Sequence, residues 1–426
     1  MKFPIPATEL AARIELNRNR LATGECYQIP RAFSAKEYEW FGDREGRVIL
    51  AFMSHYKING EIIPTLKQVM ELMPGYLNEK GFFGPTFEGK IHEQQLSGHS
   101  WLLRGLCEYY EQFGEESVLA SIRAITENLF LTKKGGFSDY PVDREKMDVG
   151  DVCGDVMGNL GKWILSSDVG CAFMAIDGLS HAYRVLKDEK VAELVHEMCE
   201  VYLGIDKVAL RVQTHCTLSA ARGMIRMYHL TKDKFYLEGA QSILDLYANG
   251  GGMTRTYQNL NWWGRPNTWT EPCAIVDSLM VATELYKITG REEYRELAAR
   301  VYHNGFASAQ RANGGAGTDS VVAPGGEDTL FMTGYEADFC CTMRFAEGLW
   351  YIHENADLLY AQTTGEVVKN DGVYMDGDIV YALPSDDLAP YVEKTVEADG
   401  LKLSPLAKYY KLPDEVAKRA RQKIVF

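Results

Sequence analysis

The sequence predicts an all-α protein: an (α/α)6 barrel of helical hairpins carrying a short C-terminal β-containing appendage. Two observations lead there. Apolar residues return at helical spacing in segment after segment of the 426-residue chain, the pattern of helices with a buried face. Four helix-to-helix joints then share one design: Tyr110 to Val118, Tyr183 to Val191, Tyr228 to Tyr236 and Tyr286 to Tyr294. Each closes a helix on an aromatic and an apolar residue, turns through Gly or Lys, and restarts on acidic or polar residues. That is the order of helix stop and start chemistry. The joints are unevenly spaced, so they do not make a solenoid, where the period is fixed. They suit a closed ring of about six hairpins whose loops at the other end vary in length and build the site.

Taken in order, Ala7 to Leu21 reads as an amphipathic helix stopped at Thr23-Gly24, and Gly46 to His55 and Thr65 to Met73 as two more. A loop rich in Gly and Phe runs from Gly75 to Pro85. Gln95 to Phe113 and Glu116 to Phe130 form a helical pair. Thr132 to Gly161 carries Gly, Asp and Pro without a clean period and reads as a long loop. Helices resume over Val169 to Leu186, Lys190 to Tyr202, Thr217 to Leu230, Lys234 to Tyr247, Ala274 to Tyr286, Glu292 to Ala309 and Thr342 to Ile352. Beyond Glu354 the pattern changes. Asp357 to Ala361, Gly372 to Met375 and Asp378 to Leu383 read as short strands around the turn signal Asn370-Asp371-Gly372. Pro413 to Ile424 reads as a weak helix. The expected organisation is a barrel domain over 1–355 and a short β-hairpin and helical tail over 356–426.

The composition, 46% apolar and 24% charged, is that of an ordinary globular protein. A net charge of −14 argues against a nucleic-acid backbone or an anionic membrane as partner. No uninterrupted apolar run of ~18 residues predicts a membrane span. The stretch from Met1 to Pro6 turns polar at Glu9 and has no apolar core, so no secretory leader is expected. Nine cysteines, an odd number scattered through helices, fit a reducing compartment and a cytoplasmic location. Cys107, Cys171 and Cys199 sit in apolar contexts expected to be inert core.

Chemistry concentrates at Trp269-Thr270-Glu271-Pro272-Cys273 and Phe339-Cys340-Cys341. Each segment opens an apolar helical run, so one carboxylate and three thiols stand at helix N-termini, where unpaired N–H groups favour anions. A thiolate is the form that binds metal or attacks carbon. Glu271, Cys273, Cys340 and Cys341 make a closed tetrahedral donor set for Zn2+. Buried structural cysteines are the alternative reading.

These segments, with Tyr294 and Tyr302-His303-Asn304-Gly305 between them, resemble glycoside hydrolase family 127, the β-L-arabinofuranosidases and their relatives. Thr214-His215 and Gly75-Tyr76-Leu77 resemble weaker landmarks of that family. The resemblance implies an (α/α)6 barrel, zinc on Glu271, Cys273, Cys340 and Cys341, and Cys340 as the catalytic nucleophile. It implies a small saccharide or glycoside as substrate. Three features depart from the family. No carboxylate lies between Gly252 and Thr270, where the family places its acid/base Glu; Gln258, Asn259 and Asn261 stand there. Pro272 replaces the usual Thr, and the Cys pair lacks the prolines that follow it. A sizeable β-sandwich that the family carries is represented only by short strands.

Other candidates surround this core. His92 and His215 lie near loop-to-helix junctions and are candidate substrate contacts, against an ordinary role as hydrogen-bonded histidines. Asp168 is a hydroxyl ligand or simply a helix N-cap. Gln258 is a substrate-binding candidate, and Trp263, with Trp262 and Trp269, offers a ring for stacking on a sugar or for filling the core. Glu327 and Asp328, on a Gly-rich loop close in sequence to the Cys pair, are candidates for a displaced acid. The expected function is a zinc-dependent retaining glycoside hydrolase. A sugar isomerase or epimerase using His92 and His215, and a non-catalytic sugar-binding relic with structural zinc, are the alternatives; self-association is left open.

Overall fold

The computed structural model describes residues 2–33, 40–143, 154–254, 257–264, 268–322, 328–334, 336–362, 367–370, 373–376, 379–382, 397–398, 401–402 and 422–424. The chain divides into two compact units. One comprises Glu25–Leu244 with Trp262–Gly264; the other comprises Met1–Gly24, Asp245–Asn261 and Arg265–Phe426.

The first of these is a succession of hairpins. Helices α2 (Asp43–Asn59), α4 (Glu93–Phe113), α6 (Ala175–Leu186) and α8 (Thr214–Thr231) pack serially against one another. α4 and α8 are buried along nearly their whole length. Between them in the chain come α3 (Pro64–Leu72), α5 (Glu116–Ile125) and α7 (Glu189–Gly204), and the start of α9 (Lys234–Asn249) follows α8. α5 buries only Val118, Ile122 and Ile125, and α7 a single stripe from Val191 to Tyr202. Alternation of wholly buried and half-buried helices is the mark of the (α/α)6 class, and it follows from which helices carry polar residues all along one face. Close approach of α2 to α4 needs a glycine: a Cβ on Gly46 would lie 2.2 Å from the Leu102 amide nitrogen.

The second unit holds α1 (Ala7–Thr23), α10 (Pro272–Thr289), α11 (Glu292–Arg300), the one-turn α12 (Ala307–Ala309) and α13 (Cys341–Asn355). α10 packs on α11 and α13, and α13 on α1. A π segment, Val301–Phe306, joins α11 to α12, so the single helix expected over Glu292 to Ala309 is continuous but widened. Gly305 sits in that bulge, where a Cβ would strike the Tyr257 carbonyl at 2.3 Å.

All four repeated joints have the same stereochemistry. Gly114, Lys187, Lys232 and Gly290 are left-handed, with φ of 67°, 56°, 61° and 69°. Their N–H groups donate to the carbonyls of Tyr110, Tyr183, Tyr228 and Tyr286 at 2.7–2.9 Å. This satisfies helix-end carbonyls by the left-handed cap.

Sheet content exceeds the expectation. Part of the loop expected over 132–161 is strand β3 (Val156–Leu160), which pairs with β4 (Trp163–Ser166); β4 also pairs in parallel with β2 (Ile91–His92). In the second unit β5 (Thr268–Trp269), β6 (Thr318–Val322), β7 (Asp328–Gly334) and β14 (Gln422–Ile424) form a sheet in the order β14-β7-β6-β5. The helix expected over 413–424 is therefore corrected at its end: Gln422–Ile424 pairs with Leu330–Asp328, and 403–421 lie outside the described residues. Inter-strand pairing overrides a weak local helical preference. Two of the expected C-terminal strands are present as β10 (Val373–Asp376) and β11 (Ile379–Ala382); the strand before the turn signal is β9 (Val367–Asn370), not the expected 357–361, and its Asn370 stands opposite Val373. Residues 357–360 are not strand; β8 is only Ala361–Gln362 and pairs with β1 (Lys2–Phe3). Glu397–Ala398 and Leu401–Lys402 are β12 and β13. Among the described residues no helix is long and apolar enough to cross a membrane.

Candidate metal centre and surrounding site

Helices α10 and α13 present the cluster. Glu271 is the N-cap of α10 with an extended backbone, Pro272 takes the first helical position, and Cys273 the second. Proline suits that position because its missing N–H is one that a helix leaves unpaired. Cys340 caps α13 and Cys341 begins it. One donor atom from each of Glu271, Cys273, Cys340 and Cys341 lies within 4.8 Å of all the others. The Cys273–Cys341 sulfur separation is 3.6 Å and the Cys340–Cys341 separation 3.3 Å.

The donor set fits a tetrahedral cation. Bonds of ~2.3 Å to sulfur place two sulfurs about 3.8 Å apart, close to the separations seen. All four residues are buried. Hydrogen bonding of its S–H to Cys273 and Cys341, together with burial, holds the Cys340 thiol well above the usual thiol range. Burial, then Cys273, does the same to Cys341. A divalent cation reverses this, because it stabilises the thiolates that the neighbours disfavour.

The surroundings hold both helix ends in place. The Glu271 N–H donates to Asn259 Oδ1 at 2.7 Å. Thr270 N–H donates to the Asp319 carbonyl, and the Asp319 N–H to Thr270 Oγ1, so β5 and β6 are pinned just ahead of α10. At α13, Thr342 Oγ1 donates to Glu336, which also receives the Arg20 guanidinium at 2.9 Å, and Asn17 donates to the Thr342 carbonyl. Arg344 of α13 forms buried ion pairs with Asp277 of α10 and with Glu347. Phe306 and Phe345 stack at 3.9 Å beneath.

Gln258 lies in the same unit and is fully buried; its amide reaches Ser308 at 3.3 Å and Asp319 at 3.5 Å. Two further residues of this neighbourhood, Asp319 and Phe339, have no role assigned by the sequence. Asp319 pairs with buried Arg311 at 2.9 Å, and burial pushes its carboxyl above the usual range despite Arg311. Phe339, next to Cys340, is 48% exposed. No motif marks Asp319, since strand β6 had no sequence signal; an exposed phenylalanine beside a Cys pair could have been weighed as a ring for stacking. Asp328 lies on β7, opposite Ile424, and Glu327 lies outside the described residues.

The other candidates belong to the first unit. His92 caps α4 through Nδ1, which accepts from the Gln95 N–H at 3.4 Å, and burial lowers its pKa to about 4. His215 stacks on Trp101 at 5.7 Å. Asp168 is buried beside Ser166, whose hydroxyl accepts its N–H at 3.1 Å. Trp263 is fully buried, and its indole N–H donates to Thr217 Oγ1 at 3.2 Å.

Fold and cluster together define an (α/α)6 helical protein with a buried Glu/Cys3 donor set. Solved structures of similar fold come from enzymes acting on sugars. A GH127 β-arabinofuranosidase superposes with a TM-score of 0.57 at 13% identity, over 89% of this chain and 64% of its own. A GH127 β-L-arabinofuranosidase from Geobacillus stearothermophilus T6 gives 0.55 at 12% identity, over 88% of this chain and 69% of its own. A D-mannose isomerase gives 0.57 at 13% identity, over 83% of this chain and 100% of its own. The chain thus spans under two thirds of the length of the first of these. No protein-family model matches the sequence, and a search of curated proteins returns no match. At these identities the shared property is the fold.

Proposed function

We propose that the chain is a carbohydrate-active enzyme, and within that class a retaining glycoside hydrolase of β-L-arabinofuranosidase type, with zinc held by Glu271, Cys273, Cys340 and Cys341. One observation carries the reading: three thiols and a carboxylate converge from the N-termini of two helices. Zinc bound there would keep the thiols ionised at neutral pH. Cys340 is the proposed nucleophile, since it is the most exposed of the three thiols. Its Sγ attacks the anomeric carbon, the glycosidic C–O bond breaks, and the leaving oxygen takes a proton from an acid. Water then displaces the sulfur, giving its proton to the conjugate base of that acid, and the thiolate is restored with net retention. Asp319, Glu327 and Asp328 are the proposed proton donors. Asp319 is favoured by its raised titration and by its place on the strand beside Thr270. The barrel domain is proposed to end at Asn355, where α13 ends.

Metal analysis combined with turnover tests this. About one zinc per chain and hydrolysis of an aryl β-L-arabinofuranoside, abolished in Cys340→Ser, is the expected result. A sugar-isomerase reading is favoured by the likeness to D-mannose isomerase over that enzyme's whole length. It assigns proton transfer to His92 and His215 and predicts that Cys340→Ser keeps full isomerase activity. Zinc without turnover of any glycoside or free sugar would make the cluster structural.

A further inference from the structure

The unit formed by Glu25–Leu244 and Trp262–Gly264 contains a cavity of about 480 Å³ that the hydrolase reading does not use. Its walls are the loop leading into α4, the turns after the π segment Thr126–Phe130, and Lys162 between β3 and β4. Five lysines line it: Lys80, Lys90, Lys133, Lys134 and Lys162. Among the described lining residues Glu88 is the one acid; Glu193 and Asp139 reach two of the lysines from outside the lining. The lining reverses the balance of a chain whose net charge is −14.

The lysines are not all neutralised by neighbours. Lys134 pairs with Glu193, and Lys162 with Asp139 at 2.6 Å. Lys90 and Lys133 donate instead to main-chain carbonyls, of Gly161 at 2.8 Å and of Lys90 at 2.9 Å. A carbonyl fixes an ammonium without cancelling its charge, and an ammonium carries three protons, so both keep donors to offer. Burial and then the charge of Lys80 lower the Lys133 pKa, so these ammonium groups already repel one another. Setting Glu88 against Lys80, Lys90 and Lys133 leaves two positive charges in the wall. The floor includes buried Phe82, Ile91 and Leu129. Its volume is that of a small-molecule site.

We infer that this cavity binds a small phosphate monoester, its dianion among Lys80, Lys90 and Lys133 and its body over Phe82, Ile91 and Leu129. A phosphate monoester carries about −1.5 to −2 charges at neutral pH, which matches the wall; a carboxylate carries half that. The inference is independent of the glycosidase reading.

Calorimetric titration of the full chain with glucose 6-phosphate, inorganic phosphate and glucuronate, at constant ionic strength, tests it. Glucose 6-phosphate should bind more tightly than either other probe, and more tightly at pH 7 than at pH 5.5, as its second proton leaves. Lys80→Gln and Lys133→Gln should each weaken it about ten-fold or more, the scale of a hydrogen bond to a charged group. Lys134→Gln, whose ammonium Glu193 already holds, should bind as the parent does. Equal affinity for inorganic phosphate would make this a site for free phosphate and overturn the ester assignment. Equal affinity for glucuronate, absence of binding, or unchanged binding by a folded Lys80→Gln variant would overturn the site itself.

Discussion

Arg344 offers a direct test of what holds the cluster together. It lies on α13 four residues after Cys340, and its guanidinium serves both Asp277 on α10 and Glu347. All three side chains are at most 1% exposed. Arg344→Met keeps much of the apolar stem and removes the charge, leaving two carboxylates in the core. Breaking a buried pair in this way costs about 3–5 kcal/mol. With a urea slope of about 3 kcal/mol/M, the unfolding midpoint should fall by roughly 1–1.7 M. Because the pair links the two helices that carry the four donors, zinc affinity should fall with it. Adding Asp277→Asn and Glu347→Gln removes the stranded charges and should restore at least half of the lost midpoint. The measurements are urea unfolding by circular dichroism and zinc competition against a chelating dye. A midpoint for Arg344→Met within 0.3 M of the parent, about 1 kcal/mol on that slope, would refute the claim that this network ties α10 to α13.

Three further outcomes are expected. Gly46→Ala should be strongly destabilising, by about 1–3 kcal/mol or more, since its Cβ meets the α4 backbone at 2.2 Å; Gly204→Ala, where a Cβ meets nothing within 4 Å, should be neutral or stabilise by about 0.5–1 kcal/mol, and urea midpoints compare them. His92 and His99 have pKa values lowered by burial to about 4. Depressed histidines are neutral in the fold and charge on unfolding, so their contribution is present above pH 6.5 and is lost as pH falls towards 4; His99→Gln should flatten unfolding free energy against pH in that window. Phe339→Ala should raise KM several-fold for a glycoside while leaving zinc content unchanged, if the exposed ring stacks on the sugar; unchanged KM would remove it from the site.

Much of this protein was legible in local patterns. The four Tyr-led joints were visible because a helix end is local chemistry: the left-handed residue and the carbonyl it caps lie four positions apart. Glu271, Cys273, Cys340 and Cys341 were visible because each pair sits at a helix opening, where residue type and spacing carry the signal. Helix periodicity marked most helices, and the Asn370-Asp371-Gly372 turn marked the hairpin of β9 and β10. What lay beyond the sequence depends on partners distant along the chain. Strand β3 has weak strand character of its own and exists through pairing with β4; Gln422–Ile424 is strand through Leu330–Asp328. The meeting of Cys273 with Cys341, 68 residues apart, was an expectation that only the packing of α10 on α13 could realise. Asp319 and the wall formed by Lys80, Lys90 and Lys133 carry no sequence motif, because a charged site assembled from separate loops takes its meaning from the distances between side chains, and those are set by tertiary packing.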